Sequence, residues 1–235
     1  MSATGFFINR PTTLSLRDME WLYPVKYSDR RGVESAEIRN DGSRLSVRLR
    51  GVCFSGRDFD ALMPASDSSP ELVGSFTLCR RSLCDCTIEC EIPVPVMFGG
   101  EIVRGNLQVR LELGSEMPNG GLDREILSLM LAVKSGTHHS LGETGWFEDE
   151  LLSLHSAMPS GAYLVACFSC AYSDYSPYGH GLFGGMACFR NFKEQYAKVQ
   201  TKDDLFPILN NSDVVQETYL CPEFTKRRPH TGYRG

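Results

Sequence analysis

"CDCTIECEI" at residues 84–92, answered by "LQVRLEL" at 107–113, decides how the chain is read. Cys84, Cys86, Ile88, Cys90 and Ile92 stand on one parity, with Asp85, Thr87, Glu89 and Glu91 on the other. Leu107, Val109, Leu111 and Leu113 repeat the pattern against Gln108, Arg110 and Glu112. A period of two sends alternate side chains to opposite faces of a pleated strand, so one face is apolar and the other wet. That is the pattern of a half-buried antiparallel sheet. Working outward, Leu45, Val47 and Leu49 keep the alternation, as do Leu127, Leu129, Leu131 and Val133. The turn formers NDGS (40–43), FGG (98–100) and PNGG (118–121) punctuate these runs. Residues 1–140 therefore read as an antiparallel β-sandwich-like part.

From Thr144 the period changes. Phe147, Leu151, Leu154 and Met158 recur at helical spacing, Thr144 offers a cap, and Glu148, Asp149 and Glu150 suit the positive end of a helix dipole. "AYLVACF" (162–168) reads as a strand and "MACFRNFKEQYAKVQ" (186–200) as a helix. Thr201 with Asp204 spells a capping box for a short helix that Pro207 disturbs. Residues 141–235 thus read as a cysteine-rich lobe packed on the sheet, and the fold class as α+β. In the tail, Tyr219, Leu220 and Phe224 have apolar area to dock, whereas the run from Lys226 through Arg227 and Arg228 is expected to stay solvated.

An apolar content of 42% and a net charge of −5 describe an ordinary globular protein without the basic field of non-specific nucleic-acid binding. No run of residues is long and apolar enough to span a bilayer, and the N-terminus lacks a secretory pattern, so the expected setting is the cytoplasm. Nine cysteines in a reducing compartment are thiols or metal ligands before they are disulfides.

"GWFEDELLSLHSAMP" (145–159), "CAYSDYSPYGHGLFGGMACFRN" (170–191) and "QETYLCPEF" (216–224) with the terminal "TGYRG" resemble an uncharacterised family of bacterial cytoplasmic proteins, a domain of unknown function. The resemblance covers residues 84–235 and implies no activity, cofactor or catalytic residue.

The chemistry-bearing candidates crowd into residues 167–191. Gly179, Gly181 and Gly184 spell a formal dinucleotide fingerprint, but Tyr172 to Tyr178 separates them from any strand, and the glycines read as turn positions. Ser173, Asp174, Ser176 and His180 invite a hydrolase or transferase centred on the Tyr172–Gly184 loop, yet no G-x-S-x-G elbow occurs. Cys167-x-x-Cys170 invites thiol redox chemistry, although no helix N-terminus follows to lower a thiol pKa. The preferred expectation is one structural zinc held by Cys167, Cys170, Cys188 and Cys221, its thiolate charge offset by Arg190 or Lys193. Tyr172, Asp174, Tyr175, Tyr178 and His180 are expected to shape a surface loop for a protein partner. His138 and His139 read as a solvated loop, His155 as a hydrogen-bonded helix residue beside Glu148, and Cys84, Cys86 and Cys90 as core. The expected function is that of a non-catalytic binding protein.

Overall fold

The computed structural model describes residues 21–175, 182–183, 185–229 and 231–234. Its first half is β1 (Trp21–Asp29), β2 (Gly32–Asn40), β3 (Leu45–Leu49), β4 (Val52–Gly56), β5 (Met63–Pro64), a helical turn α1 (Pro70–Val73), the small hairpin β6 (Leu78–Cys79) and β7 (Ser82–Leu83), then β8 (Cys86–Phe98), β9 (Glu101–Leu113), β10 (Glu125–Val133) and β11 (Gly136–His139). The second half holds α2 (Phe147–Ala157), β12 (Tyr163–Leu164), a 3-10 turn (Cys167–Ser169), β13 (Ser173–Tyr175), β14 (Met186–Cys188), a second 3-10 turn (Arg190–Phe192), α3 (Lys193–Tyr196), α4 (Lys202–Leu209) and β15 (Asp213–Val215).

The alternating segments pair as the period demands. β8 and β9 zip from Phe98↔Glu101 to Cys86↔Leu113. Gly99 (φ 58°) and Gly100 (φ 87°) make the two-residue turn, a left-handed pair that a side chain would strain. Pro93 and Pro95 have no N–H to donate on the other edge of β8, which is why β1 pairs only along Cys86–Cys90 and β12 takes over at Val96–Met97. The strands form one antiparallel sheet in the order β11-β10-β9-β8-β1-β2-β3-β4-β5, with β12 added on β8.

The two layers of this sandwich-like fold are a single sheet turned over on itself. β10 and β4 are six places apart in the strand order, which in a flat sheet is about 29 Å at ~4.8 Å per strand. Phe59, just past β4, packs on Phe183 at 4.9 Å between ring centroids, and Phe183 packs at 5.0 Å on Phe147 at the start of α2, the helix that covers β10. Two ring contacts therefore span a gap that a flat sheet would hold open. The enclosed side chains form one core from Tyr23 through Leu131 that also contains Leu151, Leu154, Phe168, Leu182 and Phe183. The main core thus crosses the 140/141 boundary between sheet part and lobe.

Several local readings change. Residues 186–200 are not one helix: Met186, Ala187 and Cys188 pair with β13 on one side and β15 on the other, so strand hydrogen bonds override their helical pattern. Only Tyr163–Leu164 of the apolar 162–168 run is strand, because Pro95 and its neighbours offer a short free edge there. His138 and His139 lie in β11 rather than a loop, opposite Leu131 and Met130. Trp146, not Thr144, occupies the N-cap of α2. The buried Glu150 gathers the loop instead, accepting the amides of Gly142 (2.7 Å), Glu143 (3.2 Å) and Thr144 (2.9 Å) and the Thr144 hydroxyl (2.9 Å). The capping box of α4 is present as read, with Pro207 inside the helix.

Because Phe183 is fully buried and closes the sheet, Phe183→Ala should cost about 3–5 kcal/mol of unfolding free energy. Urea denaturation checks this; a loss under about 1 kcal/mol would mean that the sheet closes without the aromatic bridge.

Candidate functional site

The second half builds its own small core on the end of the sheet. Cys167, Cys188 and Cys221 bury together with Tyr175, Met186, Val215 and Tyr219, and Trp21 from β1 packs its edge on Tyr219 at 5.6 Å. Backbone bonds bring the cysteine-bearing segments to one place. The Cys167 amide donates to the Tyr219 carbonyl (2.9 Å), which fixes the first 3-10 turn two residues from Cys221. Ser173 stands opposite Cys188 in the β13–β14 ladder, and its hydroxyl donates to the Cys167 (2.5 Å) and Cys170 (3.2 Å) carbonyls.

Cys167 and Cys188 feel the neighbouring thiols. Burial pushes the Cys167 thiol well above its ordinary value, and Cys188, Cys170 and Cys221 each add to that rise. Burial also raises Cys188, against which the Arg190 amide and guanidinium pull it down while Cys221 and Cys170 push it up. The Cys221 sulfur accepts the Glu223 amide (3.4 Å) and faces the Arg190 guanidinium (3.9 Å). Both Cys188 and Cys221 thus receive the amide two residues ahead, and Arg190 is the cation beside them. Among the described residues, however, no group of three or more His, Cys, Asp or Glu is assembled that could hold a metal ion as it stands.

The described start of the expected surface loop, Tyr172 to Tyr175, is more interior than its tyrosines suggested. Tyr175 is 7% exposed and Asp174 2%. Asp174 accepts the Tyr196 hydroxyl (2.8 Å) and the Tyr175 amide (2.9 Å), and the Tyr175 hydroxyl sits against Glu217. Tyr172 is half-buried, with the Lys193 ammonium 5.2 Å above its ring. Tyr178 and His180, with Ser176 and the glycines at 179, 181 and 184, lie outside the described residues.

β13 is covered on its far side by the tail, which is docked past Lys226 rather than solvated. Arg227 donates through Nε to the Cys170 carbonyl (3.2 Å), through Nη1 to Thr231 (2.5 Å), and through Nη2 to the Ser173 carbonyl and the Tyr196 hydroxyl (3.0 Å). Arg234 donates to the Phe168 carbonyl and lies over the Phe168 (5.0 Å) and Tyr175 (5.3 Å) rings. These guanidiniums satisfy carbonyls that irregular backbone leaves without partners, which offsets the tail's ordering entropy where apolar burial would not.

Two further features escaped the sequence reading. The first is a cleft of about 680 Å³ between the sheet and the lobe, lined on one side by Ser43, Arg44 and Arg57 and on the other by Arg190, Asp213 and Val214. The second is a set of carboxylates where Leu182 and Phe183 enter the core. Asp58 accepts the Phe183 amide (3.2 Å); burial, then the charge of Asp60, lift its carboxyl to about 6. Burial, then Asp60, lift Glu125 to about 7, and burial raises Asp60 itself. His155 is settled as a structural residue: burial holds its imidazole down near 4, its Nε2 accepts the Leu164 amide (3.3 Å), and its ring meets Phe168 edge-on.

Residues 21–173, more than half of the chain, match the model of a family of unknown function, DUF6304. The chain belongs to this family. No curated protein matches the chain. No solved structure matches it. Among the described residues, no helix is long and apolar enough to cross a membrane.

The carboxylates at Asp58 and Glu125 give stability a sign with pH. Their folded pKa values lie above the ordinary ones, so the folded state holds these protons longer, and the stability they contribute in acid is lost as pH rises through about 6 to 7. His155, held neutral, works the other way and loses stability only as pH falls below about 6.5. Asp58→Asn should therefore raise the melting temperature at pH 8 more than at pH 6. A variant whose shift is the same at both pH values would show that Asp58 titrates normally.

Proposed function

Membership of that family names no activity, and we propose from the geometry that this is a non-catalytic binding protein whose C-terminal lobe is stapled by one structural zinc on Cys167, Cys170, Cys188 and Cys221. The observation that carries this reading is the convergence of the four thiols. They come from three chain segments, Cys167, Cys188 and Cys221 share one small buried core, and Cys170, Cys188 and Cys221 each raise the cost of ionising Cys167. Crowded buried thiols are costly to ionise alone, and a divalent cation reverses that cost because thiolates are its ligands. The donor set fits zinc: the sulfurs of Cys188 and Cys221 already receive backbone amides, and Arg190 lies where it offsets the excess negative charge of a four-thiolate shell. Loading requires the sulfurs to close in to about 2.3 Å from a common centre. A closed shell leaves no open position for a substrate, so the metal's role is to hold chain segments together.

The two catalytic alternatives are less well supported. Ser173 spends its hydroxyl proton on two carbonyls and is fully buried, and Asp174 is occupied by Tyr196, so neither faces a substrate. Cys167 is 2% exposed, with its thiol raised well above 9, the opposite of the exposed low-pKa thiol that redox exchange uses. What the molecule offers outwardly is shaped surface for a partner, and a protein partner fits best.

Untagged protein purified without added metal should carry one equivalent of zinc. Cobalt exchanged into it should show the strong thiolate-to-metal absorption of a four-sulfur site. Cys188→Ser should lower zinc retention at least tenfold and admit proteases to residues 167–229 before the sheet. Metal-free protein that also gives no cobalt absorption would overturn the metal.

A further inference from the structure

We infer that the cleft between the sheet and the lobe is a carboxylate-binding site, and that its occupant is an acidic peptide segment of a partner protein, clamped by Arg44 and Arg57. This rests on the binding reading above but not on the metal.

The β3–β4 hairpin turns at Arg50 and Gly51, and its ladder runs from Leu49↔Val52 to Leu45↔Gly56. Arg44 and Arg57 are the residues one step beyond its Leu45↔Gly56 end. They share the parity opposite to the buried Leu45 and Gly56, so both emerge on the exposed side, into the cleft. Like charges close together on one face of a sheet are destabilising. Arg44 donates to the Ser55 hydroxyl (2.8 Å), Arg57 bears on the neighbouring Asp58 through its charge alone, and neither arginine makes an ion pair among the described residues.

The acidic groups of the cleft are already engaged. Asp41 turns its carboxylate back on its own turn, accepting the Ser43 (2.9 Å) and Arg44 (2.7 Å) amides. Asp213 is taken by Arg190 at 2.6 Å. Two exposed guanidiniums without an ion pair among the described residues thus line one cleft, on a protein whose net charge is −5. A planar oxyanion between them accepts hydrogen bonds from both and removes their mutual repulsion.

The rest of the cleft selects the anion. Asp41 and Asp213 on the rim oppose a highly charged polyanion, as does the protein's overall charge. Val214, 45% exposed on the lobe side, offers apolar surface a few residues from the arginines' side of the cleft and suits a side chain next to the acidic one. At about 680 Å³ the cleft accommodates a short peptide rather than one ion. An acidic residue beside an apolar one meets all three conditions.

The test is calorimetric titration of the full chain at low salt with the hexapeptide (Glu-Leu)3, with (Gln-Leu)3, inorganic phosphate and polyphosphate as the comparison arms. The acidic peptide should bind at least tenfold more tightly than its amide counterpart. Arg44→Gln and Arg57→Gln should each weaken it roughly tenfold, leave zinc content unchanged, and keep or raise the melting temperature because a repulsion is lost. Equal binding of the two peptides overturns the proposal, as does tighter binding of polyphosphate, or binding that both variants retain. Zinc measured in the same samples keeps the readings apart: a metal-free chain that still prefers the acidic peptide refutes the staple and leaves the cleft, and the reverse result refutes only the cleft.

Discussion

A long sheet with one apolar face has to cover that face, and this protein does so by folding the sheet over and closing it with side chains delivered from the second half of the chain. Leu182 and Phe183 are the closure, and they enter between Phe59 and Phe147. The consequence is that the sheet depends on a segment held at its base by β13 and β14, whose ladder runs from Ser173↔Cys188 to Tyr175↔Met186. Cys170 precedes that base and Cys188 ends it. A staple through these cysteines, as proposed, would therefore fix where Phe183 arrives, which would give the buried thiols beside the main core a structural role.

The small lobe reaches order by a different balance from the sheet. Its apolar cluster is short, and much of its backbone is irregular, so many carbonyls lack ladder partners. Arg227 and Arg234 supply the donors, each bridging several chain segments with one planar, permanently charged group. Arg50 does the same inside the sheet: it holds φ 45° at the β3–β4 turn because its guanidinium forks onto Asp29 at 2.7 Å and its amide meets Glu34. The strain of a left-handed non-glycine residue is offset there by a partly buried ion pair beside Tyr27 and Phe76.

These arginines also explain what the sequence did and did not disclose. The strands were legible because period two survives wherever a single face is buried, and Cys84, Cys86 and Cys90 declare that face as clearly as isoleucine does. The convergence of the cysteine segments was legible as a grouping of residue types, but not as geometry. The 186–200 segment was misread because its helical spacing competes with two neighbouring strands that only the tertiary fold supplies. The cleft went unseen because an Arg-Gly turn lacks the usual Asn-Gly or Asp-Gly signature. Once the turn at Arg50–Gly51 is recognised, counting outward along the ladder brings Arg44 and Arg57 to the step beyond Leu45↔Gly56.

Arg190 joins the two parts of the candidate site. On one side it faces the Cys221 sulfur at 3.9 Å; on the other it holds Asp213 at the mouth of the cleft at 2.6 Å. With neutral thiols its charge is shared chiefly with Asp213. Four zinc thiolates beside it, as proposed, would bring a local charge of about −2 that would compete for the same guanidinium and weaken its hold on that aspartate. Arg190 therefore adds little positive field to the cleft in either state, and the discrimination between a carboxylate and a neutral amide falls on Arg44 and Arg57. The proposed division of labour is electrostatic: Arg190 is engaged with Asp213 and the Cys221 sulfur, and Arg44 and Arg57, exposed on the same cleft, are the pair proposed to meet an acidic partner.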